Sequence, residues 1–540
     1  MNYFVQPMAL LNNKPVFEQM KVALFDDTFA GIHRLAWFDY SLLVPYFAVL
    51  IVLSFYGLHR YEMIRAFYKN RHKLSALPVV KFDELPPVTI QLPMYNERFV
   101  VERLLEEVVK IDYPRHLLQI QVLDDSTDET HPFTQRLVAE YRAAGHPIEY
   151  IHRTNREGFK AGALQEGLET ATGEFVAVFD ADFLIPRDFL MRTIHNFADP
   201  KVGVVQTRWT YLNSHYNVLT EVQTMLLDGH FVLEHVARAG SGLFFNFNGT
   251  AGILRKAMIQ DAGGWQHDTL TEDSDLSYRA QVKGWKFVYC PDVECLSELP
   301  VDMHGFQVQQ TRWSKGLTQC ALKLMPMLMK ADLPWRVKAE AFFHLTPNIS
   351  YPLMIIVSVL MLPVMIVRFY MGPVQMLFLD LPLIAASFWS ISAFYLVAQR
   401  ELHPTTWKRS FWLMPALLAA GVALTLSNAK AVIEALVGYE TGFVRTPKYA
   451  IGGDKKKLAA SKYRSRIGWL PFFELAAGTW FLGMIAYAVD TFNLLAIPFL
   501  LIFVGGYYWA AFAKLSADFK ARMAFYRERK LALEEAGNKV

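Results

Sequence analysis

Cysteine is nearly absent: Cys290, Cys295 and Cys320 are the only three in 540 residues. None lies in a C-x-x-C pattern, which excludes a thiolate zinc site and a disulfide framework, and free thiols in a reducing compartment are the plain reading. Charge of one sign is also lacking. The net charge of +3 argues against a nucleic-acid partner. The chain has no low-complexity tract and no internal repeat, so a solenoid is excluded. A cleavable signal peptide is not expected, because the first apolar run starts near residue 37, follows Asp26 and Asp27, and has no small-residue cleavage site.

Apolar sequence is plentiful instead. The chain is 53% hydrophobic and 14% aromatic, above the usual share for a soluble protein. The excess is unevenly placed. Residues 80–335 carry a normal supply of charge, whereas long apolar runs lie near 37–57 and through 340–515. Spanning helices need roughly 20 apolar residues, and 37–57, 343–367, 376–398, 411–437, 468–490 and 492–514 qualify. Orientation follows flanking Lys and Arg. Arg60, Arg65, Lys69, Arg71 and Lys73 place the 80–335 module on the cytoplasmic side, and the basic loops 399–410 and 438–467 join it there. Two cytoplasmic loops cannot flank one span. The segment 411–437, with Pro415, Asn428, Lys430 and Glu434, is therefore expected to re-enter or lie in the interface. The alternative is six plain spans with 438–467 outside.

These patterns divide the chain into an N-terminal segment with the first span (1–79), a catalytic-sized α/β module (80–302), amphipathic interface helices (303–340), a membrane region (341–514) and a C-terminal tail (515–540). Within the module, predicted strands 88–94, 119–124, 148–152, 174–180, 202–209 and 286–290 alternate with predicted helices near 97–110, 129–143, 160–171, 187–198, 216–238 and 273–283. Such alternation predicts a mostly parallel sheet covered on both faces. Ligands then bind beyond the carboxyl ends of the strands. Polar clusters stand at those ends: Tyr95-Asn96-Glu97, Asp124-Asp125-Ser126 and Asp180-Ala181-Asp182. Each alone also reads as a helix cap.

Asp180 and Asp182 end a buried run, Phe175 to Phe179, and suit a hard divalent cation, Mg2+ or Mn2+, with oxygen ligands. Such an ion would neutralise a nucleotide-sugar diphosphate. Thr271-Glu272-Asp273 opens a helix. It reads either as a cap with acids in the first turn or as a catalytic pair, with Asp273 the general base toward an acceptor hydroxyl. In Gln309-Gln310-Thr311-Arg312-Trp313, Trp313 can stack on a sugar and Arg312 can fork onto phosphate, or both can anchor the chain at the membrane surface. Lys160, opening a helix, reads as a phosphate or ribose contact or as a solvated lysine. The stretch 244–252, with Phe247, Asn248 and Gly249, suits a sugar-lined cleft or a buried strand and turn.

Together these motifs resemble the processive family 2 glycosyltransferases. Asp124-Asp125, Asp180-x-Asp182, Thr271-Glu272-Asp273 and Gln309-x-x-Arg312-Trp313 occur in the family's order. The phrases QLPMYNE (91–97), QVLDDSTD (121–128), GFKAGAL (158–164), FDADF (179–183), FNGTAG (247–252) and QQTRWSKG (309–316) are similar to the cellulose-synthase-like A and C groups, which make mannan, glucomannan or the xyloglucan backbone. The resemblance implies a GT-A (Rossmann-like) cytosolic catalytic domain joined to an α-helical transmembrane domain, and an inverting transfer from a nucleoside diphosphate sugar. It also implies nucleotide contacts from Tyr95, Glu97, Asp124, Asp125, Lys160 and Asp180, metal on Asp180 and Asp182, and Asp273 as base beside Glu272. The acceptor end falls to Gln309, Arg312 and Trp313, with Phe247, Asn248 and Gly249 on the substrate side. Phe443 to Lys448 resembles the family's gating loop, which adds Thr446 and Lys448 to the nucleotide set, with Arg445 departing from the family's valine.

The expected partners are a nucleotide-sugar donor, a polysaccharide or lipid acceptor and the bilayer, at a bacterial inner membrane or in the Golgi. UDP-glucose and GDP-mannose are both compatible with these motifs. A rival reading is single-sugar transfer to a lipid, which product sizing separates from polymer synthesis.

Overall fold

The protein is described from a computed structural model covering residues 34–73, 80–369, 382–383, 385–439, 468–491 and 493–537. Thr446, Lys448 and the rest of the gating-type motif lie outside the described residues, as does the start of the expected 376–398 span, whose remainder is a π-helical turn, Ala385–Trp389, leading into the helix Ser390–Leu402.

Short apolar runs build a sheet whose central strands are buried on both faces, and the polar residues that alternate along the first two are satisfied across the pair, Thr89 by Gln119 and Gln91 by Gln121. Its strands are β1 (Val88–Met94), β2 (Leu118–Asp124), β3 (Ile148–His152), β4 (Phe175–Val178), β5 (Val202–Tyr211), β6 (Gly252–Arg255) and β7 (Lys286–Ser297). The order is β3-β2-β1-β4-β6-β5-β7. All neighbours are parallel except β6, which runs antiparallel to both β4 and β5. One face packs Ile90, Leu92, Phe175 and Phe179 with the helix Val101–Val108. The other packs Val176, Val178 and Leu254 with Leu164, Leu168 and Leu276 from the helices Phe159–Thr170 and Glu272–Val282.

Two strands differ from the sequence reading. β6 was not foreseen, because it is only four residues long and follows a Gly-, Asn- and Thr-rich turn. β7 continues past Pro291, a residue that ordinarily ends a ladder. A register shift, in which Thr207 pairs with Cys290 but Arg208 pairs with Glu294, lets the proline bulge out. The expected 216–238 helix is interrupted: Val218–Asp228 passes through a π-helical turn, Gly229–Glu234, into His235–Ser241.

Among the described residues, four helical stretches are long and apolar enough to cross a membrane: Trp37–Lys73, Pro347–Phe369, Leu470–Asp490 and Leu494–Phe519. The first exceeds its predicted span and reaches the module with its last turn, where Asn70 bonds Ser241. The expected interfacial segment is a bent pair, Trp407–Ala423 and Thr425–Leu436, meeting at 40°. It would count as a fifth crossing if it spans. The expected amphipathic stretch is one long helix, Met303–Lys330, followed by Trp335–Leu345. The long helix packs on the Glu272–Val282 helix, on Trp335–Leu345 and on Thr425–Leu436.

Candidate active site

The cleft forms where β1, β2, β4 and β6 meet their loops. β4 hands over to Asp180 in a fixed main-chain frame. Phe179 N–H donates to Gln91 O, Ala251 N–H to Val178 O, and Asp180 N–H to Thr250 Oγ1 at 2.8 Å. Lys160 Nζ then bridges Asp180 Oδ1 at 2.5 Å and Gly249 O at 2.9 Å. Burial by itself would lower the Lys160 ammonium. The Asp180 carboxylate, with Glu272 and Asp273 behind it, outweighs that and holds it above the ordinary lysine value.

Asp182 is 4% exposed. Its Oδ2 accepts from Glu298 N–H at 3.3 Å, and its main-chain oxygen accepts from Arg103. Arg103 also stands 3.6 Å from the Glu298 carboxylate.

Asp273 is on the first turn of its helix and its Oδ1 accepts from Ser274 N–H at 2.7 Å. Burial, then the neighbouring Glu272 charge, pushes its carboxyl up to about 7, against the pull of Ser274 N–H and Lys160. Oδ2 faces Gly249, where φ is +80° and an added Cβ would stand 2.9 Å from that oxygen. Glycine is needed there on both counts. Thr271 occupies the capping position, but its side chain makes no capping bond and turns to Cys320 Sγ instead.

The acceptor motif is brought to this helix by packing. Gly316 lies against Thr271, where a Cβ would stand 2.6 Å away. Leu270 N–H donates to Gln319 Oε1, and Lys323 pairs with Asp268 and Asp275. Gln309, Arg312 and Trp313 are half-buried three to seven residues upstream of Gly316 on the same helix. The opposite side of that helix is tied to the membrane region: Thr311 bonds Asn428, Ser314 bonds Asn348, and the buried Lys315 pairs with Glu434 at 3.0 Å.

Not every predicted residue faces the cleft. Phe247 is 1% exposed and packs in the core between the sheet and the Phe159–Thr170 and Glu272–Val282 helices. It supports the loop from behind. Asn248 is held by Gln206, Asn246, His230 and His235, and positions Gly249. Asp124 and Asp125 are both buried with their carboxylates engaged. Asp125 takes a two-pronged contact from Arg153 at 2.8 and 2.6 Å, and Asp124 bonds Tyr150 and Ser126. Tyr95 lies under the Arg156 guanidinium, 3.4 Å from the ring centre, and Glu97 sits half-buried beside it.

Sequence reasoning missed Arg153, Arg156 and the His230–Glu234–Arg238 group. The first two had a signal, the basic residues just upstream of Lys160. The last had one too, the i,i+4 spacing of His230, Glu234 and Arg238 along one helix face. A further signal of the cleft is strain. The four non-glycine residues with positive φ among the described residues, Asn96, Arg156, Phe159 and Ala251, all border it.

The donor chemistry fits a hard divalent cation. Asp180, Glu272 and Asp273 gather around a single ammonium, Lys160, and Asp182 adds a buried carboxylate two residues on from Asp180, an acidic excess with oxygen ligands only. Asp180 and Asp182 are the residues that would hold it.

Residues 86–316 match the family model described as Glycosyltransferase like family 2. Probable glucomannan 4-beta-mannosyltransferase 7 of Oryza sativa subsp. japonica is 38% identical over 307 residues, 52% of this chain and 52% of that protein. Glucomannan 4-beta-mannosyltransferase 2 of Arabidopsis thaliana is 40% identical over 282 residues, 50% of this chain and 52% of that one. The chain thus spans about half the length of the curated relatives it matches. Among solved structures, a mannosyltransferase from Pyrobaculum calidifontis in complex with GDP-Man and Mn2+ is 23% identical with a TM-score of 0.48, covering 67% of this chain and 99% of that one.

Proposed function

We propose that this family 2 glycosyltransferase module, set among membrane helices, transfers a hexose from a nucleoside diphosphate sugar to the end of a growing β-linked polysaccharide, with inversion. The observation that carries the reading is the meeting of Asp180, Lys160 and Asp273 around Gly249, with the Gln309–Trp313 helix packed on Thr271. The relatives' names support mannose or glucomannan chemistry, with GDP-mannose ahead of UDP-glucose as donor.

In this reading Asp273 takes the proton from the acceptor hydroxyl as that oxygen attacks the anomeric carbon. Its raised affinity for protons suits that task, and Gly249 leaves room beside Oδ2. Glu272 keeps Asp273 basic by its charge. Lys160 fixes Asp180 and adds positive charge where the diphosphate lies. A divalent cation, Mg2+ or Mn2+, when bound at Asp180 and Asp182 neutralises charge on the departing nucleotide. Tyr95, Glu97, Asp124 and Asp125 shape the nucleotide end. Gln309, Arg312 and Trp313 hold the acceptor, with Trp313 as a stacking platform. The resemblance of Phe443 to Lys448 to the family's gating loop supports adding Thr446 and Lys448 to the nucleotide contacts.

Arg60, Arg65, Lys69, Arg71 and Lys73 after the first span support a cytoplasmic module. The test is a screen of the purified protein with GDP-mannose and UDP-glucose, with linkage and size analysis of the product. A ladder of β-linked oligomers is expected. A product that stops at one sugar on a lipid overturns the polymer reading.

A further inference from the structure

The ends of β2 and β3 bear a second group of ligating side chains, built from different elements than Asp180 and Asp182. Asp124, the last residue of β2, is 0% exposed. Its neighbour Asp125 is neutralised by Arg153. Asp124 has only neutral hydrogen-bond donors on its carboxylate: Ser126 N–H to Oδ1 at 2.8 Å and the Tyr150 hydroxyl to Oδ2 at 2.6 Å. No side-chain cation pairs with it among the described residues. A buried carboxylate without a counter-charge is costly.

Two imidazoles stand over it. His131 lies in the first turn of the Thr130–Ala143 helix and His152 ends β3. Their ring centres are 4.0 Å apart and 25° from parallel. The donor rules fix both tautomers. Tyr150 gives its proton to the Asp124 carboxylate, so it accepts from His131 Nδ1–H at 2.7 Å. His152 Nδ1 lies 2.9 Å from the Asp124 main-chain oxygen, which only accepts, so Nδ1 carries the proton there too. Both rings are left with Nε2 as the bare nitrogen. Metal-bound histidines are oriented in this way, by an N–H held on an oxygen. One ring nitrogen from each histidine and one carboxylate oxygen of Asp124 lie within 4.8 Å of one another. Both histidines are partly exposed, which gives an ion a route from solvent.

We propose that Asp124, His131 and His152 form a second cation site, for a borderline transition metal such as Zn2+. Its mixed nitrogen and oxygen donors select that class, whereas the oxygen-only set at Asp180 and Asp182 suits Mg2+ or Mn2+. An ion there joins β2, β3 and the Thr130–Ala143 helix, and so stabilises the folded module by mass action. The proposal concerns binding of the ion to the nucleotide-free chain, and it shares Asp124 with the nucleotide end proposed above.

The test uses the full chain in detergent, with its affinity tag removed and metal stripped, in excess Mg2+ to occupy oxygen-only sites. Co2+ is titrated as a coloured probe and Zn2+ as its competitor. Co2+ is expected to bind with a visible ligand-field band that Zn2+ abolishes, and Zn2+ is expected to raise the melting temperature. His131→Ala and His152→Ala are expected to lose the band and to weaken binding by at least about tenfold, while Asp180→Asn keeps both. The melting temperature of each metal-free variant is read alongside, and His131→Gln replaces any variant that fails to fold. Absence of the band in the unaltered chain overturns the proposal, as does a band unchanged by both histidine variants or removed by Asp180→Asn.

Discussion

The two ends of the cleft are held in different ways. The carboxylate end rests on main chain. Asp180 follows a central strand, and its own N–H, those of Phe179 and Ala251, and the Gly249 carbonyl all take part in fixed hydrogen bonds. The acceptor end rests on side chains. Gln309, Arg312 and Trp313 ride on a helix clasped between the module and the membrane region by Lys315–Glu434, Thr311–Asn428 and the Thr271–Gly316 contact. Chemistry is thus placed by a rigid ladder. The Gln309–Trp313 motif is placed by contacts with the apolar helices.

That contrast can be broken most sharply at Asp273. Asp273→Asn removes the base without changing the side chain's shape, and kcat should fall by a factor on the order of 10²–10⁴ with donor binding retained. Steady-state rates beside nucleotide titration check both halves, and full turnover would end the assignment.

The acceptor end predicts a stability effect instead. Lys315 is 2% exposed and Glu434 is 19% exposed, so Lys315→Met leaves a mostly buried carboxylate with only the exposed Lys430 at 3.8 Å and should cost about 2 kcal/mol. The double variant with Glu434→Leu should recover most of it. Thermal unfolding in detergent measures this, and a single variant as stable as the parent would show that the clasp is ornamental.

A third measurement concerns pH. Asp273 must be ionised to accept a proton, and its carboxyl is pushed up to about 7. Log kcat/KM should therefore fall by about one per pH unit below that value and level off above it. A flat profile down to the ordinary carboxylate range would remove the raised base.

The smallest effect is at Gly249. With φ at +80° and Asp273 Oδ2 beside it, Gly249→Ala should cost about 1–2 kcal/mol of stability. It should also lower kcat more than it raises KM, because it pushes on the base. An equal change in both would place the strain elsewhere.

The positions of several candidate residues in the fold were legible beforehand. Asp180, Asp182, Asp273 and Lys160 were readable because a strand end and a helix start are local events, set by β-branched runs and by the residues that stop them. Phe247 shows the limit. Its aromatic, Gly-rich surroundings read as a cleft, yet the ring faces the core. Which side of a loop residue meets solvent depends on packing partners such as Val178 and Leu276 that are far away in the chain.

By itself the sequence determined the apolar spans, the parallel α/β pattern and the acidic strand ends, since each follows from hydrophobic periodicity and local backbone preference. Tertiary structure alone decided the rest: the pairing of the antiparallel β6 with β4 and β5, the pairing of Asp125 with Arg153, and the histidine pair over Asp124. These are contacts between residues separated in the chain. Their energies depend on burial and on which partner arrives first to satisfy a charge, and no spacing along a sequence records that.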